Sequence, residues 1–75
     1  MLTTHFIEER IRIALPDAKI QVVDTTGTGD HFEATVVSAL FAGKPIVQQH
    51  KLVYAAVRDV LDTGELHALA LKTSF

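Results

Sequence analysis

Cysteine is absent from this chain of 75 residues. Its absence excludes a disulfide framework, a thiolate nucleophile and a metal site built from the chain's own thiolates. Positive charge is not in surplus either: seven Lys and Arg stand against nine Asp and Glu, a formal net charge of −2. Phosphate contacts need a concentrated basic face, and this balance promises no more than a local patch. No apolar run is long enough for a membrane span. No basic segment leads into an apolar stretch at the start, so a secretory signal is not expected. The expected location is cytoplasmic, or organellar (plastid or mitochondrial) after removal of a transit peptide. Internal repeats, low-complexity stretches and linkers are also missing. Together with the length, this predicts a single domain over residues 1–75 with one core.

The parts of an enzyme are equally scarce. Ser38 and Ser74 are the only serines, and the carboxylates Asp24, Asp30, Glu33, Asp59, Asp62 and Glu65 show no pairing along the sequence that would suggest a nucleophile, a base and an orienting group. Gly27-Thr28-Gly29 follows a strand pattern but leads into another strand, not into a helix N-terminus, so it is no phosphate loop. The chain is expected not to be an enzyme.

What is present is a foldable pattern, 48% hydrophobic and 21% charged, which excludes a disordered tail. Leu2 to Leu15 reads as a helix capped by Thr3 or Thr4, with Phe6, Ile7, Ile11 and Ala14 on one face and Pro16 at its end. Lys19 to Asp24 and His31 to Ser38 alternate as strands and are joined by the polar, glycine-bearing loop Thr25–Asp30. Ile46 to Leu61 has helical period after Pro45, with a break expected near His50. Gly64 ends it. Leu66 to Lys72 reads as a third strand, rather apolar on both faces, which suits a central strand or one covered on both sides. The sum is an α+β fold: two layers, αββααβ, with a three-stranded mixed sheet and the helices on one face.

Four histidines, His5, His31, His50 and His67, are the main candidate ligands. His5 reads as a helix-flank residue, and His50 as a capping or helix-joining one. His31 opens the second strand after the long loop. His67 stands at the mouth of the third, where the ladder fixes the backbone and leaves the ring free. One or two histidines do not complete a four-ligand site, so a metal here would be shared with another molecule.

The stretch Val36-Val37-Ser38-Ala39-Leu40-Phe41-Ala42-Gly43-Lys44-Pro45-Ile46-Val47-Gln48-Gln49-His50-Lys51-Leu52-Val53-Tyr54 resembles the central signature of the BolA-like family. Leu66-His67-Ala68-Leu69-Ala70-Leu71-Lys72-Thr73 resembles its closing motif. The likeness runs over nearly the whole chain and points to the histidine-type subgroup. It implies a fold related to the second type of KH domain. It also implies a non-enzymatic partner of monothiol glutaredoxins carrying a CGFS motif, sharing a bridging [2Fe–2S] cluster to which the glutaredoxin cysteine and glutathione bring thiolates. His67 matches the family's histidine ligand and His31 is the candidate for the second, Thr28 and Gly29 occupying the loop positions where many relatives carry a cysteine. Lys44, His50, Lys51, Tyr54 and His67 are the implied partner-binding residues. The alternative reading is a DNA-binding transcriptional regulator using the helical region around Lys44, Lys51 and Arg58. Against it, Gln48-Gln49-His50-Lys51 lacks the glycines of a KH Gly-x-x-Gly loop.

Overall fold

In the computed structural model, which describes residues 1–75, the first helix, α1, spans Thr4–Ala14. The Thr3 hydroxyl caps it by accepting from the Phe6 amide at 3.1 Å, and Leu15 and Pro16 end it. Two strands follow, β1 (Lys19–Asp24) and β2 (His31–Val37), then a short 3-10 turn at Ala39–Phe41. Helices α2 (Ile46–Ala56) and α3 (Arg58–Thr63) lead into β3 (Ala68–Ser74). The sheet has the order β1-β2-β3, with β1 antiparallel and β3 parallel to β2. The α+β architecture, the mixed sheet and the helices on one face are as expected.

Three expectations need correction. The third strand is neither central nor covered on both sides: β2 is the central strand, and one face of β3 is exposed. The β1–β2 hairpin leaves one edge of β2 open, and the helical crossover delivers β3 to that edge. The outward residues of β3, Ala68 and Ala70, are exposed and small, so an edge position costs little apolar exposure. The third strand also begins at Ala68, later than expected, while Leu66 is buried in the preceding turn with its amide bonded to the Val60 carbonyl at 3.0 Å. Finally, the helical region does not break near His50. It runs through to Ala56 and bends at Val57, whose φ of −123° and ψ of 20° redirect the chain. Gln49 makes the uninterrupted α2 possible: it is buried, its amide donates to the Lys44 carbonyl at 2.8 Å, and its carbonyl accepts from the Thr73 hydroxyl at 2.6 Å. A polar residue on the core face is tolerable because both of its ends are hydrogen-bonded.

The core lies between the helices and the sheet. Ile7, Ile11 and Leu15 from α1 and its end meet Phe32, Ala34 and Val36 of β2, with Leu2, Ala18, Phe41, Val53, Val57, Val60, Leu66 and Leu69 completing it. Burial of each larger side chain is worth roughly 1.5–3 kcal/mol. Arg10, the polar residue in the apolar stripe of α1, reaches across to Asp59 of α3 in a two-pronged pair at 2.8 and 3.0 Å and covers the Phe6 ring at 4.6 Å. That pair holds the Asp59 carboxyl below its usual range. Ser38 is buried and donates to the Asp17 carboxylate at 2.9 Å, which also accepts from the Ala39 amide at 2.9 Å. Its hydroxyl fastens the end of β2 and is no nucleophile.

The loop between β1 and β2 is tied at both ends of its path. The Asp24 carboxylate accepts from the amides of Thr26, Gly27 and Gly29 at 3.3, 2.9 and 3.0 Å. The Gly29 carbonyl accepts from the Leu2 amide at 3.0 Å. Gly27 and Gly29 both have positive φ, 75° and 73°, but a Cβ on Gly27 would meet nothing, whereas one on Gly29 would lie 2.9 Å from the Leu2 carbonyl oxygen. Gly27→Ala is therefore expected to cost only the left-handed penalty, about 1–2 kcal/mol. Gly29→Ala should cost clearly more in a urea melt, because the backbone before α1 must also move. Equal losses would contradict the packing of the N-terminal segment on the loop.

Candidate metal centre

The parallel register pairs His31 with Ala68, which brings the residues just before the two strands, Asp30 and His67, face to face. The Asp30 carbonyl accepts from the amides of His67 and Ala68 at 2.8 and 3.2 Å, so the backbone at both positions is fixed by the ladder. His31 shows the outward half of the β2 alternation, since the next side chain, Phe32, enters the core.

At this corner three side chains converge. His31 Nδ1 lies 2.9 Å from Asp30 Oδ1, and His67 Nδ1 lies 2.9 Å from Asp30 Oδ2. The two rings stand 5.5 Å apart at 63°. The Thr28 hydroxyl also donates to Asp30 Oδ1 and is itself paired with the Thr26 hydroxyl at 2.6 Å. Chiefly the Thr28 hydroxyl, and then the two imidazoles, hold the Asp30 carboxyl far below the usual carboxylate range. It is ionised throughout the neutral range. Potential ligand atoms of Asp30, His31 and His67 lie within 4.8 Å of one another. Imidazole and carboxylate are suitable donors for zinc, iron and other transition metals. Two imidazoles can also replace two thiolates on one iron of a [2Fe–2S] cluster, so the residues present fit that group.

His5 and His50 are not part of the cluster. His5 is exposed on α1. The half-buried His50 ring meets Tyr54 edge-on, centroids 6.5 Å apart, and its buried Nε2 makes no hydrogen bond within the chain. Tyr54 donates its hydroxyl to the Leu69 carbonyl at 2.8 Å, two residues from His67. Lys44 and Lys51 line a surface groove of about 290 Å³ with Gln48 and Leu52; Arg58, on α3, is not among its lining residues. Sequence reasoning missed Asp30 and Thr28. The only available signal was Asp30 standing next to His31 in a strand-opening position. The partnership with His67 appears only once the register of β2 on β3 is known.

The family model described as "BolA-like protein" matches residues 2–75. The Escherichia coli protein named "DNA-binding transcriptional regulator BolA" is 32% identical over 80 residues, covering 97% of this chain and 75% of that protein. Among solved structures, a bolA protein homologue from Coxiella burnetii superposes with a TM-score of 0.79 at 36% identity, covering 99% of this chain and 91% of that one. Yeast Fra2 superposes at 0.77 with 35% identity, covering 96% and 77%.

The loop that presents Thr28 and Asp30 depends on the Asp24 carboxylate. Asp24→Ala leaves three amides without their acceptor and is expected to destabilise the protein by about 1–3 kcal/mol. Amide hydrogen exchange should accelerate at Gly27 and Gly29 more than in β2. Unchanged exchange at those two amides would contradict the role given to Asp24.

Proposed function

The chain belongs to the BolA-like family, and on that premise we propose that it is a non-enzymatic partner of monothiol CGFS glutaredoxins. In the heterodimer it would share a bridging [2Fe–2S] cluster for iron–sulfur trafficking or for iron and redox regulation. The observation that carries this reading is the pair of imidazoles, His31 and His67, gathered around Asp30 at 2.9 Å each. Membership of the BolA-like family, whose resemblance implies such a partner, supports the glutaredoxin partnership.

The chemistry of the donor set explains why the site would be shared. A [2Fe–2S] cluster takes four ligands besides its bridging sulfides. This chain has no cysteine, so it can bring two neutral nitrogens and no thiolate. The glutaredoxin cysteine and glutathione bring the sulfur. Imidazoles in place of two thiolates raise the potential of the cluster, as in Rieske centres. The partner face would extend from His67 along α2. Tyr54 bonds to Leu69 beside β3's start, His50 packs on Tyr54, and Lys51 and Lys44 lie along the groove beyond. The cytoplasm, or an organelle, is the proposed location.

A second reading, DNA binding through Lys44, Lys51 and Arg58, draws on the name of the Escherichia coli relative. It is the weaker one. Gln49 is buried between Lys44 and Thr73 and does not reach a phosphate, and the net charge is −2. The fold relation to the second type of KH domain that the resemblance implies would not strengthen it, because the Gly-x-x-Gly clamp is missing from Gln48–Lys51.

The test is visible absorption and circular dichroism of this protein mixed with a CGFS glutaredoxin, glutathione, iron and sulfide. A spectrum distinct from the glutaredoxin's own cluster is expected, lost in His67→Ala and altered in His31→Ala. No new spectrum and no complex with the wild type would overturn the proposal. DNA titration at two salt concentrations would then decide the second reading, since phosphate binding weakens steeply with salt.

A further inference from the structure

We infer that Asp30 is a positioning residue that brackets both imidazoles with one carboxylate and fixes each in the tautomer whose Nε2 is free to bind metal. The inference rests on the reading of His31 and His67 as ligands and adds a residue that reading does not contain. Its basis is geometric. Each carboxylate oxygen faces one Nδ1 at 2.9 Å, Oδ1 toward His31 and Oδ2 toward His67. An ionised carboxylate only accepts hydrogen bonds, so each Nδ1 facing it must be the protonated nitrogen. A neutral imidazole carries a single N–H, so the lone pair of both rings falls on Nε2. Two unbraced rings would instead populate every tautomer combination, and only one of these offers both Nε2 atoms at once.

The same geometry argues against Asp30 as a ligand itself. Both of its oxygens are already engaged, Oδ1 additionally by the Thr28 hydroxyl. Its side chain is 27% exposed, against 41% for His31 and 59% for His67, so the carboxylate lies behind the rings that reach outward. A carboxylate on the far nitrogen of a metal-binding histidine orients the ring and strengthens it as a donor. Here a single carboxylate does this for two rings, which makes the two ligands one unit. The backbone adds to this, because the Asp30 carbonyl holds the amides of His67 and Ala68.

The experiment is long-range ¹H–¹⁵N correlation of the histidine rings in the ¹⁵N-labelled, metal-free protein at about pH 8.5, above the usual imidazole range. Wild type is expected to show Nδ1–H for both His31 and His67. In Asp30→Asn the carboxamide has one acceptor oxygen and an NH₂ donor, so at least one ring should change to Nε2–H. Thr28→Val, which leaves both carboxylate oxygens in place, should keep both rings as in wild type. Nε2–H on either ring of the wild type, or unchanged rings in Asp30→Asn, would overturn the inference.

A second arm uses the glutaredoxin heterodimer and follows decay of the visible spectrum. Asp30→Asn should still assemble the cluster but lose it about 10–100-fold faster than wild type, the usual effect of removing such a support. An unchanged lifetime, or assembly blocked as completely as by His67→Ala, would overturn the positioning role, the latter by making Asp30 a ligand. If the wild-type heterodimer holds no cluster at all, the shared-cluster reading fails while the tautomer measurement still decides the role of Asp30.

Discussion

Two backbone hydrogen bonds, from the amides of His67 and Ala68 to the Asp30 carbonyl at 2.8 and 3.2 Å, join the end of the β1–β2 loop to the start of β3. Everything proposed for the site depends on them. They begin the parallel ladder that pairs His31 with Ala68, and that pairing sets two histidines, far apart in the chain, on either side of one carboxylate. A slip of one residue would turn His31 toward the core and Phe32 outward, because side chains alternate along a strand. Burial of Phe32, Ala34 and Val36 therefore holds His31 and His67 in register as well as stabilising the fold.

The loop contributes the rest of the preorganisation. Asp24 gathers three amides, Gly29 lets the backbone pass close beneath Leu2, and Thr28 turns its hydroxyl onto Asp30. Such a loop is longer than a hairpin needs. Its extra residues are used in fixing the carboxylate, and the carboxylate in turn holds the rings. The flexible part of the problem is thereby moved off the histidines and onto a polar network closed by its own hydrogen bonds. The proposed division of labour follows from composition: the chain provides nitrogen donors on a rigid corner, and the sulfur donors come from its partner.

Much of the fold could be read from periodicity. The α1 face with Ile7 and Ile11, the alternation of β2, and Gly64 with its φ of 82° ending α3 follow directly from local rules. The position of β3 at the edge was not legible, because Ala68 and Ala70 count as apolar in a pattern yet tolerate exposure. The bend at Val57 was hidden for a related reason. Gln49 looks like a surface residue, and only its bonds to Lys44 and Thr73 reveal it as part of the core. At the site, His67 could be singled out from its place at the mouth of a strand, and His31 only through the family resemblance. Asp30 could not, since its meaning lies in a pairing between strands that no spacing along the chain encodes.

The central claim is that both ligands from this chain are His31 and His67, acting together. Its most direct test is electron–nuclear double resonance on the reduced, cluster-bearing heterodimer, with this chain ¹⁵N-labelled at histidine and the glutaredoxin unlabelled. The account predicts two distinct, strongly coupled ¹⁵N nuclei in the wild type and only one in His31→Ala. A single coupled nitrogen would remove His31 from the site, and none would contradict the account altogether.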